Sequence, residues 1–309
     1  MSSTGAEGIE RLRAAVSSVI HGKEAVIELT LVAVLAGGHL LLQDVPGVGK
    51  TTLAAGLARA LGGSFARVQF TADLLPSDVT GGAVYDSSKA TFSFRPGPIF
   101  ANVVLADEIN RTSPKTQSAL FEAMEEGAVT VDGETRPLPH PFLVVATQNP
   151  YDFHGTFPLP DSQLDRFLMR VAVGYPDREA EREVVRSGAR RMVPEAVMTL
   201  EQVLAIREQV RQVRVAEAVE DYLLDLVRAT REDARLLRGV SPRGAQALYR
   251  AVQALATVRG RTFAIPEDVR TLAIPVLAHR VLPRSHGGPT GSGGADALRQ
   301  LLDELVAPG

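Results

Sequence analysis

The sequence predicts an α/β protein, with a core built on an open parallel sheet flanked by helices and a small all-α domain after it. Two observations support this fold class. As far as about Asp177, short apolar runs alternate with helical stretches, and a glycine-rich turn joins the first run to a helix. After about Arg178, every periodic segment has helical spacing. Strand–helix repetition of this kind is typical of an open α/β sheet.

Three apolar runs in the first half are predicted strands. They span residues 39–43, 102–106 and 142–147, and none alternates apolar with polar residues. Continuous apolar character is what a parallel strand needs when both faces of its sheet are covered. Helices are predicted at 50–61 and at 114–126, where Pro114 suits a first helical turn.

Two hairpins and a helical second half complete the organisation. The hairpins are predicted at 83–95, with a polar turn at 86–89, and at 128–138, where Asp132-Gly133 is a strong turn signal. We expect a core domain over 1–178 and a lid domain over 179–309. The candidate helices of the lid are 178–190, 200–212, 216–230, 242–259 and 266–279.

The end of the chain combines a flexible loop with a helix. Residues 285–294 are rich in Gly, Ser and Pro, a composition typical of flexible linkers. Residues 296–306 carry a one-sided stripe of leucines, which predicts a terminal helix that docks on another surface. The sequence does not show which surface that is.

The composition excludes several classes of protein. Of 309 residues, 45% are hydrophobic and 22% charged, the formal net charge is −3, and cysteine is absent. Disulfides and thiolate metal sites are therefore excluded, and no global basic charge points to nucleic acid. The most apolar stretch, 29–42, is shorter than the roughly 20 residues that span a bilayer. The first ten residues lack the layout of a signal peptide, so we expect a soluble, cytoplasmic protein.

A phosphate-binding loop is predicted between the first strand and the first helix. Glycines there allow backbone N–H groups to converge on phosphate oxygens at a helix N-terminus. Asp44 stands where the G-x-x-x-x-G-K-[ST] pattern has its first glycine, and an acidic side chain is unfavourable there unless it points away. A glycine-rich turn without a ligand is the alternative. The candidate nucleotide-binding residues are Pro46, Gly47, Val48, Gly49, Lys50, Thr51 and Thr52.

Polar residues follow the other two predicted strands. Asp107 and Glu108 follow one strand, and Asn149 follows the other. Ligands of open α/β sheets bind beyond the carboxyl ends of the strands. We therefore expect Thr51 and Asp107 to hold Mg²⁺, Glu108 to polarise water and Asn149 to orient it. The alternatives are a solvated acidic turn and a simple Asn149-Pro150 turn.

Two arginines are further candidates. Arg166 lies just before an apolar run at 168–174 and is either a catalytic finger for a neighbouring subunit or a surface arginine paired with Asp165. Arg243 lies in the first turn of a helix that Ser241 caps, where the helix dipole disfavours a cation. We therefore expect an anionic partner for Arg243, either ATP phosphates or a surface glutamate.

Together these motifs resemble the MoxR-type AAA+ ATPases of the helix-2-insert clade. The resemblance covers about residues 8–283. It rests on DVPGVGKTT at 44–52, LADEINR at 105–111, TQNP at 147–150, LPDSQLDRF at 159–167 and SPR at 241–243. An acidic residue at the position of Asp44 is frequent in this family, and the absence of an N-K-x-D sequence argues against GTP.

The resemblance implies a role for each motif. Lys50 and Thr51 match Walker A, and Asp107 and Glu108 match Walker B. Asn149 matches sensor 1, Arg243 matches sensor 2 in the same chain, and Arg166 matches an arginine finger that acts in trans. The segment with Ile20, His21 and Gly22 resembles the lining of an adenine pocket, and a plain helix end at Gly22 is its alternative.

The resemblance also implies the cofactors, the assembly and the function. ATP and Mg²⁺ are the expected cofactors, and a hexameric ring is the expected assembly. The leading hypothesis is an ATPase that remodels protein partners, among them proteins with von Willebrand factor A domains. The alternatives are a motor that acts on nucleic acid, a motor subunit like that of magnesium chelatase, and a nucleotide-gated scaffold without hydrolysis. The sequence does not identify the client or the resting oligomer.

Overall fold

The computed structural model describes residues 3–45, 47–88, 90–150, 155–187, 194–284 and 293–308. The strands are β1 (His39–Gln43), β2 (Phe65–Gln69), β3 (Gly81–Asp86), β4 (Thr91–Pro96), β5 (Val103–Asp107), β6 (Ala128–Val131), β7 (Glu134–Pro137), β8 (Leu143–Gln148), β9 (Phe167–Val171), β10 (Leu236–Arg238) and β11 (Leu282–Pro283). The helices are α1 (Ser3–Ser17), α2 (Glu24–Leu35), α3 (Lys50–Ala60), α4 (Pro76–Thr80), α5 (Pro114–Glu126), α6 (Asp161–Leu164), α7 (Arg178–Ser187), α8 (Leu200–Val210), α9 (Glu217–Glu232), α10 (Pro242–Val258), α11 (Pro266–Leu277) and α12 (Gly293–Glu304).

The core is a five-stranded parallel sheet in the order β2-β5-β8-β1-β9. The predicted strands match β1, β5 and β8 to within one residue at each end. β2 was not predicted, because this strand lies at the edge of the sheet and carries Arg67 and Gln69 among its apolar residues. Since all five strands are parallel, their carboxyl ends meet at one edge of the sheet, called the carboxyl edge below. Their amino ends meet at the opposite amino edge.

The continuous apolar character of the central strands has a direct explanation in the packing. Leu40 and Leu42 lie in one hydrophobic cluster, together with residues of α1, α2 and α3. Leu41, between them, lies in a second cluster with residues of α5. All three leucines are fully buried. Helices therefore cover both faces of the sheet, which explains why the three central positions of β1 are all apolar.

Both predicted hairpins are present. β6 pairs with β7 through Asp132 and Gly133, whose φ angles of 53° and 81° are those of the tight turn that the Asp-Gly pair predicts. β3 pairs with β4, and the rings of Tyr85 and Phe92 contact each other at a tilted angle on the exposed face of this hairpin. Lys89, in the turn predicted at 86–89, lies outside the described residues.

The second half is helical, as predicted, and packs closely on the core. α10 packs against α2 and α11, and α11 also contacts β9. Residues 188–190 of the predicted helix 178–190 lie outside the described residues. No helix among the described residues has the length and apolar character needed to cross a membrane.

The terminal helix docks on α9 and α11, a surface that the sequence did not show. Leu298, Leu301 and Leu302 are buried there. The prediction of a loop at 285–294 is wrong for its last two residues, which begin α12. Residues 285–292 lie outside the described residues. Gly294 fits the helix because of close packing: a Cβ at this position would lie 2.8 Å from the carbonyl oxygen of Ala278.

Candidate active site

The loop between β1 and α3 has the geometry of a phosphate-binding turn. Gly47 and Gly49 adopt φ angles of 87° and 96°, in the region that glycine enters without strain. Gly49 precedes Lys50 as the N-cap of α3, so the backbone N–H groups of the first helical turn open towards the loop. The side chain of Val48 is buried in the core, and Pro46 lies outside the described residues.

A cavity of about 340 Å³ opens at this loop, on the carboxyl edge. The structure brings together most of the residues that the sequence singled out. Lys50, at the start of α3, donates hydrogen bonds to the carbonyl oxygens of Asp44 (2.8 Å) and Val45 (3.2 Å). Partial burial lowers the pKa of Lys50, whereas the carboxylates of Asp107, Asp44 and Glu108 counteract this shift. The predicted residues that line the cavity are Gly47, Gly49, Lys50, Thr51, Thr52, Asp107, Glu108 and Asn149.

Asp107, the last residue of β5, is held on both carboxylate oxygens. The buried hydroxyl of Thr147, on neighbouring β8, donates to Asp107 Oδ1 at 2.6 Å. Arg67, on β2, donates to Asp107 Oδ2 at 2.7 Å. Because residues of both neighbouring strands converge on it, the Asp107 carboxylate has a fixed orientation towards the cavity.

Glu108 adopts a backbone conformation that is rare for residues other than glycine. Its φ and ψ are 57° and 49°, and its N–H donates to the Thr147 hydroxyl at 2.9 Å. Non-glycine residues in this region carry strain and cluster at functional sites. The Glu108 carboxylate accepts a hydrogen bond from Gln69 Nε2 (3.0 Å) and pairs with Arg111 Nε (2.9 Å). Arg111 therefore supplies the counter-charge of this carboxylate, and Gln69 adds a hydrogen bond from a neutral amide.

Asp44 points away from the loop interior, which removes the objection to an acidic residue at this position. Its Oδ1 accepts from the N–H of Val45 at 2.7 Å, and its Oδ2 accepts from the N–H of Gly174. Its own N–H donates to the carbonyl oxygen of Gln148 at 3.1 Å. Asp44 therefore ties the start of the loop to the end of β8 and to the segment after β9.

The segment with Ile20, His21 and Gly22 lies beside the loop. Ile20 is buried, and a Cβ on Gly49 would lie 3.3 Å from Ile20 Cδ1. Gly22 has a φ of 67° and packs against Ala180, near the start of α7. His21 is exposed. The position of Ile20 is compatible with a nucleotide-base pocket, and the binding roles of all three residues stay predictions.

The two candidate arginines lie together, away from the phosphate loop. Arg166 donates to the carbonyl oxygen of Phe121 at 2.7 Å and forms an ion pair with Glu125. Arg243 pairs with the same Glu125 at 3.1 Å, and its Nε lies 3.9 Å from Asp165 Oδ2. Neither arginine lines the cavity at the loop.

Arg243 does not line the loop cavity of its own chain in this structure, and its expected role in nucleotide binding stays a prediction. Of the two partners that its position in α10 allowed, a surface glutamate, Glu125, is the one observed. The physical reason is topological: Arg166 comes just before β9, so the arginine pair lies at the amino edge. The five residues of β9 separate that edge from the carboxyl edge by about 16 Å.

The residues at the loop cavity fit Mg²⁺. This ion prefers oxygen ligands, takes few of them from protein and keeps several waters. The Thr51 hydroxyl and the Asp107 carboxylate line the same cavity and supply such oxygens. No cluster of three or more His, Cys, Asp or Glu side chains that could hold a metal ion occurs within the described ranges.

Sequence reasoning missed Arg67, Gln69 and Thr147. The first two were missed together with β2, whose register places Gln69 opposite Asp107. The available signal was the alternation in Phe65–Gln69, which puts Arg67 and Gln69 on one face of a strand. Thr147 was read as part of a strand, although its hydroxyl connects the backbone of Glu108 with the carboxylate of Asp107.

Comparisons with known proteins agree with this geometry. Residues 39–169 match the family model "ATPase family associated with various cellular activities (AAA)", and residues 228–298 match an AAA lid domain model. The uncharacterised protein YeaC of Bacillus subtilis is 46% identical, over 95% of this chain and 92% of the relative. Chaperone MoxR1 of Mycobacterium tuberculosis is 41% identical, over 90% and 78%. A crystal structure of a candidate ATPase from Cytophaga hutchinsonii superposes with a TM-score of 0.91 at 36% identity, covering 99% of this chain and 96% of the other.

Proposed function

Since the chain belongs to the MoxR-type AAA+ ATPases, we propose that it hydrolyses ATP to ADP and phosphate to drive the remodelling or maturation of partner proteins. The relatives include a protein named as a chaperone, which supports this direction. We also propose that the working assembly is a hexameric ring, with von Willebrand factor A domain proteins among its clients. The proposed units are a nucleotide-binding core over 1–178 and a lid over 179–309.

The proposal of an assembly rests on the distance between the two arginines and the phosphate loop of the same chain. Lys50, Asp107 and Glu108 lie at the carboxyl edge, whereas Arg166 and Arg243 lie at the amino edge of the same sheet. In phosphoryl transfer, an arginine that stabilises the transition-state charge must touch the phosphates. A second copy that presents its amino edge to the loop supplies that arginine without any change in fold. We therefore assign Arg166 and Arg243 to the site of a neighbouring chain.

We assign a separate role to each residue at the carboxyl edge. Lys50 and the backbone of the loop bind the phosphates, which requires the ammonium to exchange its two carbonyl partners for phosphate oxygens. Thr51 and Asp107 would hold Mg²⁺, which would supply positive charge to offset the charge of the phosphates. Asn149 orients the attacking water. The ATP-binding set also includes Ile20, His21, Gly22, Pro46, Val48 and Thr52.

Glu108 is proposed as the residue that polarises the attacking water. Its carboxylate accepts from Gln69 and pairs with Arg111, and both of these contacts are made through Oε2. The strained backbone at Glu108 is fixed by the buried Thr147 hydroxyl. The side chain can therefore rotate while the backbone stays in place.

Mixing two inactive variants tests the assembly and the shared site together. Glu108→Gln removes the water-polarising group but retains the arginine finger. Arg166→Ala removes the finger but retains a complete loop site. Each variant alone should hydrolyse ATP at a small fraction of the wild-type rate, and an equimolar mixture should recover part of the activity, measured as phosphate release.

Recovery is expected because some interfaces then combine an intact loop site with an intact Arg166 from the neighbour. The double variant Glu108→Gln/Arg166→Ala mixed with Arg166→Ala is the control, because it offers intact loop sites but no finger at any interface. If the first mixture is no more active than this control, the shared site is wrong. Affinity capture with Glu108→Gln, which should retain ATP, then tests for protein clients.

A further inference from the structure

A second cavity lies at the amino edge of the sheet, between the core and the lid helices. Its volume is about 350 Å³, close to the 340 Å³ of the cavity at the phosphate loop. The core contributes His39, Phe142 and the end of α5, and the lid contributes three arginines, Arg207, Arg211 and Arg250. None of these arginines has a role in the function proposed above.

The three arginines have few partners of their own. Arg250 makes no hydrogen bond or ion pair with any residue that the structure describes. Arg207 donates only through Nε, to the carbonyl oxygen of Val34 at 2.8 Å. Within the described chain its two Nη groups have no hydrogen-bond partner, so both remain available to a ligand. Arg211 pairs with Glu208 at 3.0 Å, and both of these side chains are largely exposed.

Burial and neighbouring positive charges both disfavour the charged forms of Arg207 and Arg250. Burial and the charge of Arg211 lower the pKa of Arg207 to about 10. Partial burial lowers the pKa of Arg250, and the positive charges of Arg243 and Arg211 lower it further. Clustering like charges at the margin of a cavity costs free energy in the absence of a counter-charge. A bound anion would remove that cost.

The acids at the cavity do not supply the counter-charge. Glu125 and Glu126 both line it, but Glu125 is already paired with Arg166 and Arg243. Glu126 is exposed and forms no ion pair with any described residue. Cations therefore exceed acids at this end of the molecule, although the formal charge of the whole chain is −3.

The framework around the arginines is fixed by buried groups. His39 accepts from the N–H of Val144 through Nδ1 (3.0 Å) and bonds the carbonyl oxygen of Met124 through Nε2 (3.0 Å). Gln253 is also buried and donates to the carbonyl oxygens of Arg211 (3.3 Å) and Val213 (3.0 Å). These bonds fix the floor of the cavity and the end of α8, so little ordering would accompany binding.

We propose that this cavity is a binding site for a phosphate-bearing anion, contacted by Arg207, Arg211 and Arg250. Guanidinium groups present planar pairs of donors that match phosphate oxygens, which favours this class of ligand. The volume lies within the range of small-molecule sites. Because residues of the core and of the lid both line the cavity, the bound anion lies between the two.

Titration calorimetry with pyrophosphate on the full-length Lys50→Ala chain tests the site, because this variant disables the phosphate loop. One pyrophosphate should bind per chain, with an affinity that decreases as salt increases. Arg250→Gln and Arg211→Gln, each added to Lys50→Ala, should weaken binding about tenfold or more. Both side chains are exposed enough for the fold to survive. Lys50→Ala/Arg228→Gln, which changes an exposed arginine on α9, is the matched control and should bind as Lys50→Ala does.

The same titration with inorganic phosphate and with ADP distinguishes a free phosphate from a nucleotide as the source of the anion. The proposal is overturned if pyrophosphate does not bind Lys50→Ala, or if it binds the arginine variants equally well. It is also overturned if these arginines instead support self-association that pyrophosphate does not displace. The cavity would then receive an acidic segment of a second copy of the chain.

Discussion

The two edges of the central sheet carry opposite chemistry. At the carboxyl edge, Lys50 lies among the carboxylates of Asp107, Glu108 and Asp44. At the amino edge, Arg166 and Arg243 share one glutamate, and Arg250 lies close enough to Arg243 for its pKa to be affected. In the function proposed above, the first edge binds nucleotide and activates water, and the second supplies positive charge to phosphates. Because about 16 Å of strand separates them, one chain cannot perform both tasks at the same nucleotide, but two adjacent copies can.

The largest expected effects come from one substitution at each edge. The substitution at the carboxyl edge should affect ATP binding, and the one at the amino edge should affect the rate of ATP hydrolysis. Lys50→Ala should abolish ATP binding, because it removes the only lysine that lines the described cavity at the loop. Arg166→Ala should leave the Kd for ATP within about twofold and reduce kcat by about 10³-fold, the contribution typical of an arginine finger. Fluorescent-nucleotide titration and steady-state phosphate release measure the two quantities.

Arg238→Ala is a suitable control for the arginine variant. Arg238 is an exposed arginine of the lid that pairs with Asp161 at 2.7 Å, and its loss should change neither quantity appreciably. If Arg166→Ala instead weakened ATP binding as strongly as Lys50→Ala, the separation of the two edges would not describe the working enzyme.

A second contrast concerns how the free energy of unfolding changes with pH. Two buried histidines at the amino edge should contribute to this change. Burial lowers the pKa of His39 from 6.5 to about 4, and burial also places the pKa of His279 well below its usual value. The folded protein keeps both rings neutral, whereas the unfolded chain binds protons below pH 6.5. Their stabilising contribution is therefore complete above pH 6.5 and decreases as the pH falls. For His39 the loss reaches about 3 kcal/mol near pH 4.

Urea unfolding at a series of pH values between 7 and 4 measures this loss. His39→Gln, which does not titrate and keeps a donor and an acceptor, should show a shallower decrease in unfolding free energy with falling pH than the wild type. His21→Gln changes an exposed histidine at the carboxyl edge and should keep the wild-type slope. Parallel slopes for all three proteins would mean that His39 is not held neutral by the fold.

Local sequence signals predicted one edge far better than the other. The loop after β1, the acids after β5 and Asn149 after β8 were all placed correctly, because the order of parallel strands brings their carboxyl ends together. The partner of Arg243 was not predictable, since Glu125 lies 118 residues away in the chain. β2 was missed because an edge strand with Arg67 and Gln69 lacks the apolar run that identified its neighbours. Tertiary packing, which the local pattern does not encode, decides both features.

Asp44 offers a test of how the loop is fixed at the carboxyl edge. Asp44→Ala removes the acceptors for the N–H groups of Val45 and Gly174. We expect a loss of about 1–3 kcal/mol in unfolding free energy, the usual cost of losing a hydrogen bond to a charged group, and an increase in KM for ATP. Denaturant unfolding and steady-state kinetics measure these changes.

Asp44→Asn keeps a side-chain acceptor and should lie between Asp44→Ala and the wild type in both measurements. This order is expected because the residue acts through hydrogen bonds to backbone N–H groups and points away from the phosphates. Equal stability and KM in Asp44→Ala and the wild type would contradict a structural role for this carboxylate.

The smallest expected effects come from releasing the charged groups held at each edge. Gln69→Ala removes one partner of the Glu108 carboxylate, and Glu125→Gln weakens the ion pairs that hold Arg166 and Arg243. Partly exposed contacts of this kind contribute about 1 kcal/mol, or about a fivefold change in rate. Because the proposed role of Glu108 lies within its own chain, Gln69→Ala should raise ATP turnover by the same factor at every protein concentration. In the proposed assembly Arg166 and Arg243 act on a neighbour, so Glu125→Gln should change turnover only at concentrations where chains assemble. Phosphate release measured over a dilution series separates the two cases, and a Glu125→Gln effect that persists in the most dilute sample would place those arginines at the site of their own chain.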